Sequence, residues 1–250
     1  MYRSIVIIIA ILSFASCKTN KPDTSLVTST PAEQIIKQAI KAHGGKKYET
    51  AHYGFTFRKK QYTFQNNGEQ YEYSVTSEKD GKTQKDVMHN AGMTRHINGQ
   101  SVSLTKDEQN RYSQGVNSVI YFATLPHKLK DKSVNKKYIG DTSIKGKKYQ
   151  VVKVTFDKEG GGKDHDDQYH YWINTETHLI DYLAYNYTVN KGGVRFRSAY
   201  NTRNVDGVIF QDYINFKAPV GTPLIDLPKL FEANQLKQLS LIETENVIKM

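Results

Sequence analysis

The sequence has a single cysteine, Cys17, among its 250 residues. One thiol excludes an intramolecular disulfide and any Cys-x-x-Cys zinc or redox site. Long apolar runs are equally scarce: only Ile5–Leu12 is uninterrupted, which excludes a membrane protein with several spanning helices. Strand–helix–strand alternation and repeats of about 20–50 residues are also lacking, which argues against parallel α/β folds, propellers and solenoids. One tryptophan stands beside seventeen tyrosines, a composition typical of β-rich proteins.

The N-terminus has the layout of an export signal. Arg3 precedes the apolar run, and small residues lead from the run into Cys17. A spanning helix requires about 20 apolar residues, so this run is too short to cross a membrane as an anchor. The segment Phe14–Cys17 (FASC) resembles the bacterial lipobox, in which the cysteine is diacylated and becomes the new N-terminus. The alternative is an ordinary signal peptide that contains a cysteine.

These features predict three parts of the chain. Residues 1–16 are the expected lipoprotein signal peptide, 17–30 the lipidated flexible tether, and 31–250 one antiparallel β domain. The tether is expected to be flexible because it is polar and rich in turn residues. Lys18 follows the cysteine, where an aspartate would favour the inner membrane, and no acidic cluster comes after it. The lipobox resemblance therefore implies an envelope lipoprotein on the outer membrane, facing the periplasm.

Basic residues outnumber acidic ones, 35 to 25, for a formal net charge of +10. Such an excess is common in nucleic-acid-binding proteins. An exported chain rarely meets nucleic acid, however, and the lysines here are scattered, so we expect no nucleic-acid partner. Anionic lipid, phosphorylated glycan or solubility alone are the open explanations of the basic surface.

A helix is predicted after residue 30. The segment Thr30–Glu33 (TPAE) combines a threonine N-cap, proline at the first helical position and glutamate at the third. Apolar residues from Ile35 to His43 repeat at helical spacing, and Gly44-Gly45 ends the helix. This helix needs an apolar surface to pack against.

Beyond His52 the apolar residues alternate with a period of two, and Asn-Gly and Asp-Gly turns separate the segments. A second helical segment is predicted at Gly115–Leu125, and Leu236–Val247 is predicted as a strand, with a helix as the alternative. The expected fold class is mainly β (α+β), a large curved antiparallel sheet or half-barrel of about eleven strands. A sheet of this size must curl to cover its apolar face, and the N-terminal and short helices would cover the concave side.

Two turn segments resemble the lipoprotein-carrier group, which includes the periplasmic carrier of lipoproteins and their outer-membrane receptor (LolA and LolB). The first is the hairpin Tyr171–Ile180 (YWINTETHLI), and the second is the turn Asn204–Val208 (NVDGV). The segments VNSVIYFATLP and GGKDHDD also resemble an uncharacterised set of bacterial lipoproteins. The resemblance spans residues 31–217 and implies a half-barrel that holds an apolar ligand, such as a lipid or an acyl chain.

The predicted ligand contacts are aromatic side chains and two arginines. Arg195 and Arg197 alternate along one strand, where they can clamp a phosphate or carboxylate; the alternative is an outward polar face with acidic partners. An alternation of aromatic residues suits a lipid tunnel, a sugar platform or plain sheet core or rim; it consists of Tyr182, Tyr185, Tyr187, Phe196 and Tyr200. The predicted ligand-binding residues are Phe55, Phe57, Tyr73, Tyr121, Phe122, Trp172, Arg195 and Arg197.

Acidic and histidine side chains crowd into one short segment after three glycines. Oxygen and nitrogen ligands at this spacing can hold Ca²⁺ or a transition metal. The segment matches neither the EF-hand loop nor the His-Glu-x-x-His motif, and a solvated loop tip is the alternative. The predicted metal-ligating residues are Asp164, His165, Asp166, Asp167 and His170.

Three functional hypotheses follow. The first is a membrane-anchored periplasmic lipoprotein that binds or transfers a hydrophobic ligand. The second is an envelope enzyme that acts on glycan or lipid with the Asp/His loop as its metal site, and the third is a structural or assembly lipoprotein. Because no GxSxG elbow, phosphate-binding loop or dinucleotide fingerprint occurs, no catalytic residue is predicted, and we favour binding over catalysis.

Overall fold

A computed structural model describes residues 29–159, 167–189 and 191–250. Within these ranges the chain forms fourteen strands and three α-helices. The helices are α1 (Pro31–Ala42), α2 (Lys106–Ala123) and α3 (Leu227–Glu232), with 3₁₀ turns at Gly45–Thr50, His127–Lys130 and Leu224–Asp226. The strands are β1 (His52–Phe57), β2 (Lys60–Asn67), β3 (Gln70–Lys79), β4 (Lys82–His89), β5 (Gly92–Ile97), β6 (Gln100–Val102), β7 (Val134–Ile144), β8 (Lys147–Phe156), β9 (Gln168–Asn174), β10 (Ile180–Tyr187), β11 (Gly193–Val205), β12 (Val208–Ala218), β13 (Lys237–Ile242) and β14 (Glu245–Lys249).

The strands form two antiparallel sheets of seven strands each. The first sheet has the order β14-β1-β2-β3-β4-β5-β6, and the second has the order β13-β12-β11-β10-β9-β8-β7. Strands β1 to β6 and β7 to β13 each form a meander, and β14 adds to the first sheet beside β1. The closely spaced Asn-Gly and Asp-Gly turns predicted this sequential pairing. The chain passes between the sheets twice, once through α2 and once at Glu243-Thr244, where β13 ends and β14 begins.

The predicted fold class, mainly β with antiparallel sheets and few helices, is confirmed. The strand number in the described residues is fourteen rather than about eleven, and the strands divide between two sheets. Part of the difference lies in Leu236–Val247, predicted as one strand. This segment contributes β13 to the second sheet and β14 to the first, because it turns the corner between them.

Helix α1 packs as its sequence predicted. Thr30 Oγ1 accepts the backbone N–H of Glu33 at 3.3 Å, and the Glu33 carboxylate accepts the N–H of Thr30 at 2.7 Å. Ile35, Ile36 and Ala39 are buried against the inner face of the second sheet. This face-to-sheet packing hides the apolar stripe that the helix would otherwise expose.

Helix α2 is longer than the predicted Gly115–Leu125 and begins nine residues earlier, at Lys106. Its start is fixed by a second capping box between Thr105 and Glu108, which satisfies backbone donors at the helix N-terminus. Near its start the Arg95 guanidinium lies 3.5 Å from the Tyr112 ring centre and pairs with Asp86 at 2.6 Å. These contacts hold α2 over the first sheet.

The second sheet is buried on both faces. Along β9, Tyr171 and Ile173 point to the inner face beneath α1, whereas Trp172 points to the outer face. The outer face is covered by the segment that contains Leu224 and Leu227, both buried. The apolar side of the first sheet packs against α2 and β12 instead. Among the described residues, no helix has both the length and the apolar character needed to cross a membrane.

A buried carboxylate holds the corner between the two sheets. Asp212 on β12 is 2% exposed and accepts hydrogen bonds from Arg203 at 3.1 Å, Asn201 at 2.6 Å and the backbone N–H of Thr244 at 2.9 Å. Arg203 also donates to the Thr244 backbone carbonyl. The network therefore joins β11 and β12 to the residue at which the chain leaves the second sheet.

We expect Asp212→Asn to lower the free energy of unfolding by about 3 kcal/mol, because it leaves the partly buried Arg203 cation without its anion. Urea unfolding followed by circular dichroism measures this. The matched control is Asp206→Asn, which removes an ion pair with Lys249 whose side chains are both more than half exposed, and which should cost little. Equal losses in the two variants would contradict the role given to Asp212.

Three buried histidines have lowered pKa values. Desolvation is the main cause at His43, at His127, whose ring stacks on Tyr48 at 4.7 Å, and at His170. At His127 and His170 nearby lysines add to the effect, and the pKa falls to about 3 and to about 4, respectively. Each ring is therefore neutral in the folded protein near neutral pH.

The free energy of unfolding should be greatest above pH 6.5 and fall as the pH drops from 6.5 toward 4. In this range the histidines of the unfolded chain bind protons, whereas those of the folded protein stay neutral, so acid favours the unfolded state. Each histidine adds a slope of at most about 1.4 kcal/mol per pH unit. Urea unfolding between pH 7 and pH 4.5 tests this. His127→Gln and His170→Gln should each make the pH dependence shallower, and His96→Gln, outside the core, is the control. An unchanged slope in both core variants would refute the assignment.

Candidate functional site

A cavity of about 450 Å³ lies between the two sheets, beneath the C-terminal half of α2. Its volume is within the range of small-molecule binding sites, about 300–1,000 Å³. Apolar and aromatic side chains form much of the lining, with polar groups among them. The lining consists of Phe57, Arg58, Ser118, Val119, Phe122, Ala123, Asp167, Tyr169, Tyr185, Tyr187, Val189, Arg197, Gln211, Tyr213, Asn215, Ile242 and Thr244.

Local periodicity explains why these residues meet. On α2 the lining residues are two adjacent pairs, Ser118-Val119 and Phe122-Ala123, which are four positions apart and share one side of the helix. On β10 and β12 they are alternate residues, such as Tyr185 and Tyr187, because successive side chains of a strand point to opposite faces. The cavity wall is therefore one helix side placed over one sheet face.

An aromatic cluster forms the wall opposite the first sheet. The Tyr185 ring centre lies 5.6 Å from that of Phe122 and 5.4 Å from that of Tyr169, on which it stacks. Burial raises the pKa of Tyr213, at the base of the wall, so its phenol stays protonated at neutral pH. Neutral phenols and rings give a surface suited to an apolar ligand, with a few hydroxyl groups available for hydrogen bonds.

Arg197 lies within this wall. It is 7% exposed, and its guanidinium carbon is 3.9 Å from the Phe122 ring centre and 5.3 Å from that of Tyr185. One Nη donates to the Tyr185 hydroxyl at 3.0 Å, and the buried Nε finds no hydrogen-bond partner in residues 29–159, 167–189 and 191–250. Arg195 is on the same face of β11, but its guanidinium donates to the Tyr187 hydroxyl and lies outside the lining.

The predicted ligand-binding residues divide into those that reach the cavity and those that do not. Phe57, Phe122 and Arg197 line it. Phe55 and Tyr73 are buried in the core of the first sheet. The remaining three lie elsewhere around the second sheet. The Tyr121 and Tyr171 hydroxyl groups share a hydrogen bond of 3.2 Å, Trp172 is on the outer face, and Arg195 lies beside Tyr187. Ligand contact at any of the eight stays a prediction.

The predicted metal-ligating segment is only partly described. Asp164, His165 and Asp166 lie outside the described residues. Asp167 lines the cavity, whereas His170, three positions later on β9, lines a different surface depression together with Lys137 and Lys153. Among the described residues, no three His, Cys, Asp or Glu side chains are grouped so as to hold a metal ion. Metal binding by this segment stays a prediction.

Several lining residues were not singled out as ligand contacts from the sequence. Tyr185 and Tyr187 belong to the aromatic alternation noted there, and they do reach the cavity. Tyr182 and Phe196, from the same alternation, face the opposite side of the sheet. Nothing in the sequence around Val119 or Ile242 predicts that they line a cavity, because a single aliphatic residue on a helix or strand most often belongs to the core.

Comparison with solved structures bears on the fold. The chain is similar to a LolA superfamily protein from Nitrosomonas europaea, with a TM-score of 0.50, 10% identity, and coverage of 88% of this chain and 94% of that one. An outer membrane lipoprotein-sorting protein domain from Vibrio parahaemolyticus aligns with a TM-score of 0.44, 9% identity, and coverage of 88% and 93%. The expected LolA-like fold is therefore confirmed. At such identities the likeness concerns the fold alone.

Comparison of sequences gives the family. No curated protein matches this sequence. A family model, described as a family of unknown function (DUF6503), matches residues 25–244, which include strands β1 to β13 and all the residues that line the cavity. The chain belongs to the DUF6503 family.

Proposed function

We propose that this protein is a lipid-anchored envelope protein that binds or transfers a hydrophobic ligand, such as a lipid or an acyl chain, in the cavity between its two sheets. The observation that carries the proposal is the aromatic and aliphatic lining of that cavity, formed by Phe57, Val119, Phe122, Tyr185 and Ile242. A concave, largely apolar site with a few convergent polar groups is the usual form of a small-molecule site.

The shape of the site supports binding of a ligand with one long apolar part. The lining combines an apolar wall with polar groups at Gln211, Asn215 and Thr244. Val189, at the end of β10, is 58% exposed and also belongs to the lining, so an apolar surface continues from the interior to the outside. An acyl chain that enters along this surface buries apolar area, which favours binding by about 25 cal/mol for each Å².

The fold supports the same proposal. The fold is similar to that of a LolA superfamily protein, and in this chain it leaves a cavity between the two sheets beneath α2. Cys17 is the proposed site of lipidation, and two or three acyl chains hold a protein on a membrane durably, whereas one does not. The proposed location is the outer membrane, with the domain facing the periplasm.

A co-purifying lipid is the first expected result. The protein from Lys18 onward, which keeps every described residue, is purified without detergent, and its organic extract is analysed by mass spectrometry. We expect one lipid class in near-stoichiometric amount, absent from a buffer blank and from an unrelated periplasmic protein treated identically. Blank extracts from folded protein, both before and after mixing with envelope lipids, would refute the proposal.

Filling the cavity should abolish ligand retention. Val119 faces the cavity from α2, so Val119→Trp places an indole in the space that the ligand would occupy. We expect at least a fivefold drop in lipid bound per protein, measured by the same extraction. Asn117→Trp is the matched control, because Asn117 is exposed on the same helix. Retention that falls equally in both variants, or in neither, would argue against this cavity as the site.

A further inference from the structure

Arg197 differs from two other arginines that are partly or wholly buried in this protein. Arg95 pairs with Asp86 at 2.6 Å, and Arg203 pairs with Asp212 at 3.1 Å. Both are more exposed than Arg197, which is 7% exposed. Among the described residues, no carboxylate forms an ion pair with Arg197. The most buried of the three cations is therefore the one to which the described part of the chain supplies no anion.

A buried cation without an anion is costly, because the low-dielectric interior replaces the water that would solvate it. The Phe122 and Tyr185 rings offset part of this cost through cation–π contact, and the Tyr185 hydroxyl accepts one N–H. Within the described residues, the Nε–H of Arg197 has no hydrogen-bond partner. Arg197 lines the cavity, so its guanidinium keeps an unpaired donor in the cavity wall.

We propose that Arg197 binds the anionic head group of the ligand, a carboxylate or a phosphate, while the apolar chain lies along the aromatic wall. This rests on the proposed function of the cavity. A guanidinium presents its N–H groups in a planar fork that matches two oxygens of a carboxylate or phosphate. Nε–H and a remaining Nη–H supply that fork, and Phe122 and Tyr185 hold it in one plane.

The position of Arg197 in the cavity also determines which end of the ligand lies against the second sheet. Arg197 lies on β11 between Leu183 of β10 and Asn215 of β12, inside the sheet rather than at its edge. Val189 and the exposed Arg58 mark the open side of the lining. The head group therefore sits against the second sheet, and a neutral ligand of the same length leaves the guanidinium unpaired.

Competition between matched amphiphiles tests this. The protein from Lys18 onward is loaded with the neutral fluorescent probe N-phenyl-1-naphthylamine, and hexadecanoate, hexadecyl phosphate and hexadecanol are compared as competitors. We expect both anions to displace the probe at least tenfold better than the alcohol. A preference between the two anions separates a fatty acid from a phosphate-bearing lipid. Equal affinity of the wild type for all three would overturn the head-group assignment while leaving the proposed function intact.

The variant Arg197→Met keeps an unbranched apolar stem and removes the charge. We expect it to lose at least tenfold in affinity for the anions and less than threefold for hexadecanol, with partial recovery in Arg197→Lys, which restores the charge without the fork. Lys217→Met, an exposed charge on β12 outside the lining, is the control for overall charge.

Three other results would overturn either the head-group proposal or the proposed function. An equal loss for anions and alcohol in Arg197→Met would mean that Arg197 only supports the wall. A loss in Lys217→Met as large as in Arg197→Met would assign the effect to overall charge, and either result overturns the head-group proposal. Hexadecanol binding in Arg197→Met shows that the variant is folded, and Arg197→Gln serves if it is not. Failure of all three amphiphiles to displace the probe from the wild type would instead reject the proposed function.

Discussion

The second sheet is buried on both faces, and the rest of the structure depends on this constraint. Because successive residues of a strand point in opposite directions, β9 places Tyr171 under α1 and Trp172 under the segment before β13. One sheet therefore supports a closed core on its outer face and an open, lined space on its inner face. Helix α1 packs directly on one part of the inner face, whereas a cavity separates α2 from another part.

The corner at Thr244 brings the first sheet to that cavity. Asp212 holds the corner through Arg203 and the Thr244 backbone, so β14 can pair with β1 and bring Phe57 to the cavity. The sheets are also joined by α2, by the packing of β12 and by a hydrogen bond from the Tyr53 hydroxyl to the Val205 carbonyl. The same constraint that joins the halves of the fold thus also completes the candidate binding site.

Three buried or partly buried arginines differ in whether a carboxylate of the described chain pairs with them. The pairs Arg95–Asp86 and Arg203–Asp212 are internal, and each fixes an element, α2 or the sheet corner. Arg197 is buried with no such pair in the described part of the chain and contacts aromatic rings. Arg95 and Arg203 thus have anions within the protein, whereas we infer that Arg197 receives its anion from the ligand.

Alternation, turn dipeptides and capping residues were enough to predict the mainly β class, helix α1 and most strands, because these signals are local to each segment. The division of the strands between two sheets was not predictable, since it depends on a corner in which Asp212 contacts Thr244, 32 positions away. The cavity is likewise non-local: Phe57, Phe122 and Arg197 are far apart in the chain and meet only when α2 lies across both sheets. Sequence shows which residues alternate, but the long-range packing of sheets and helix decides which face is buried in a core and which lines the cavity.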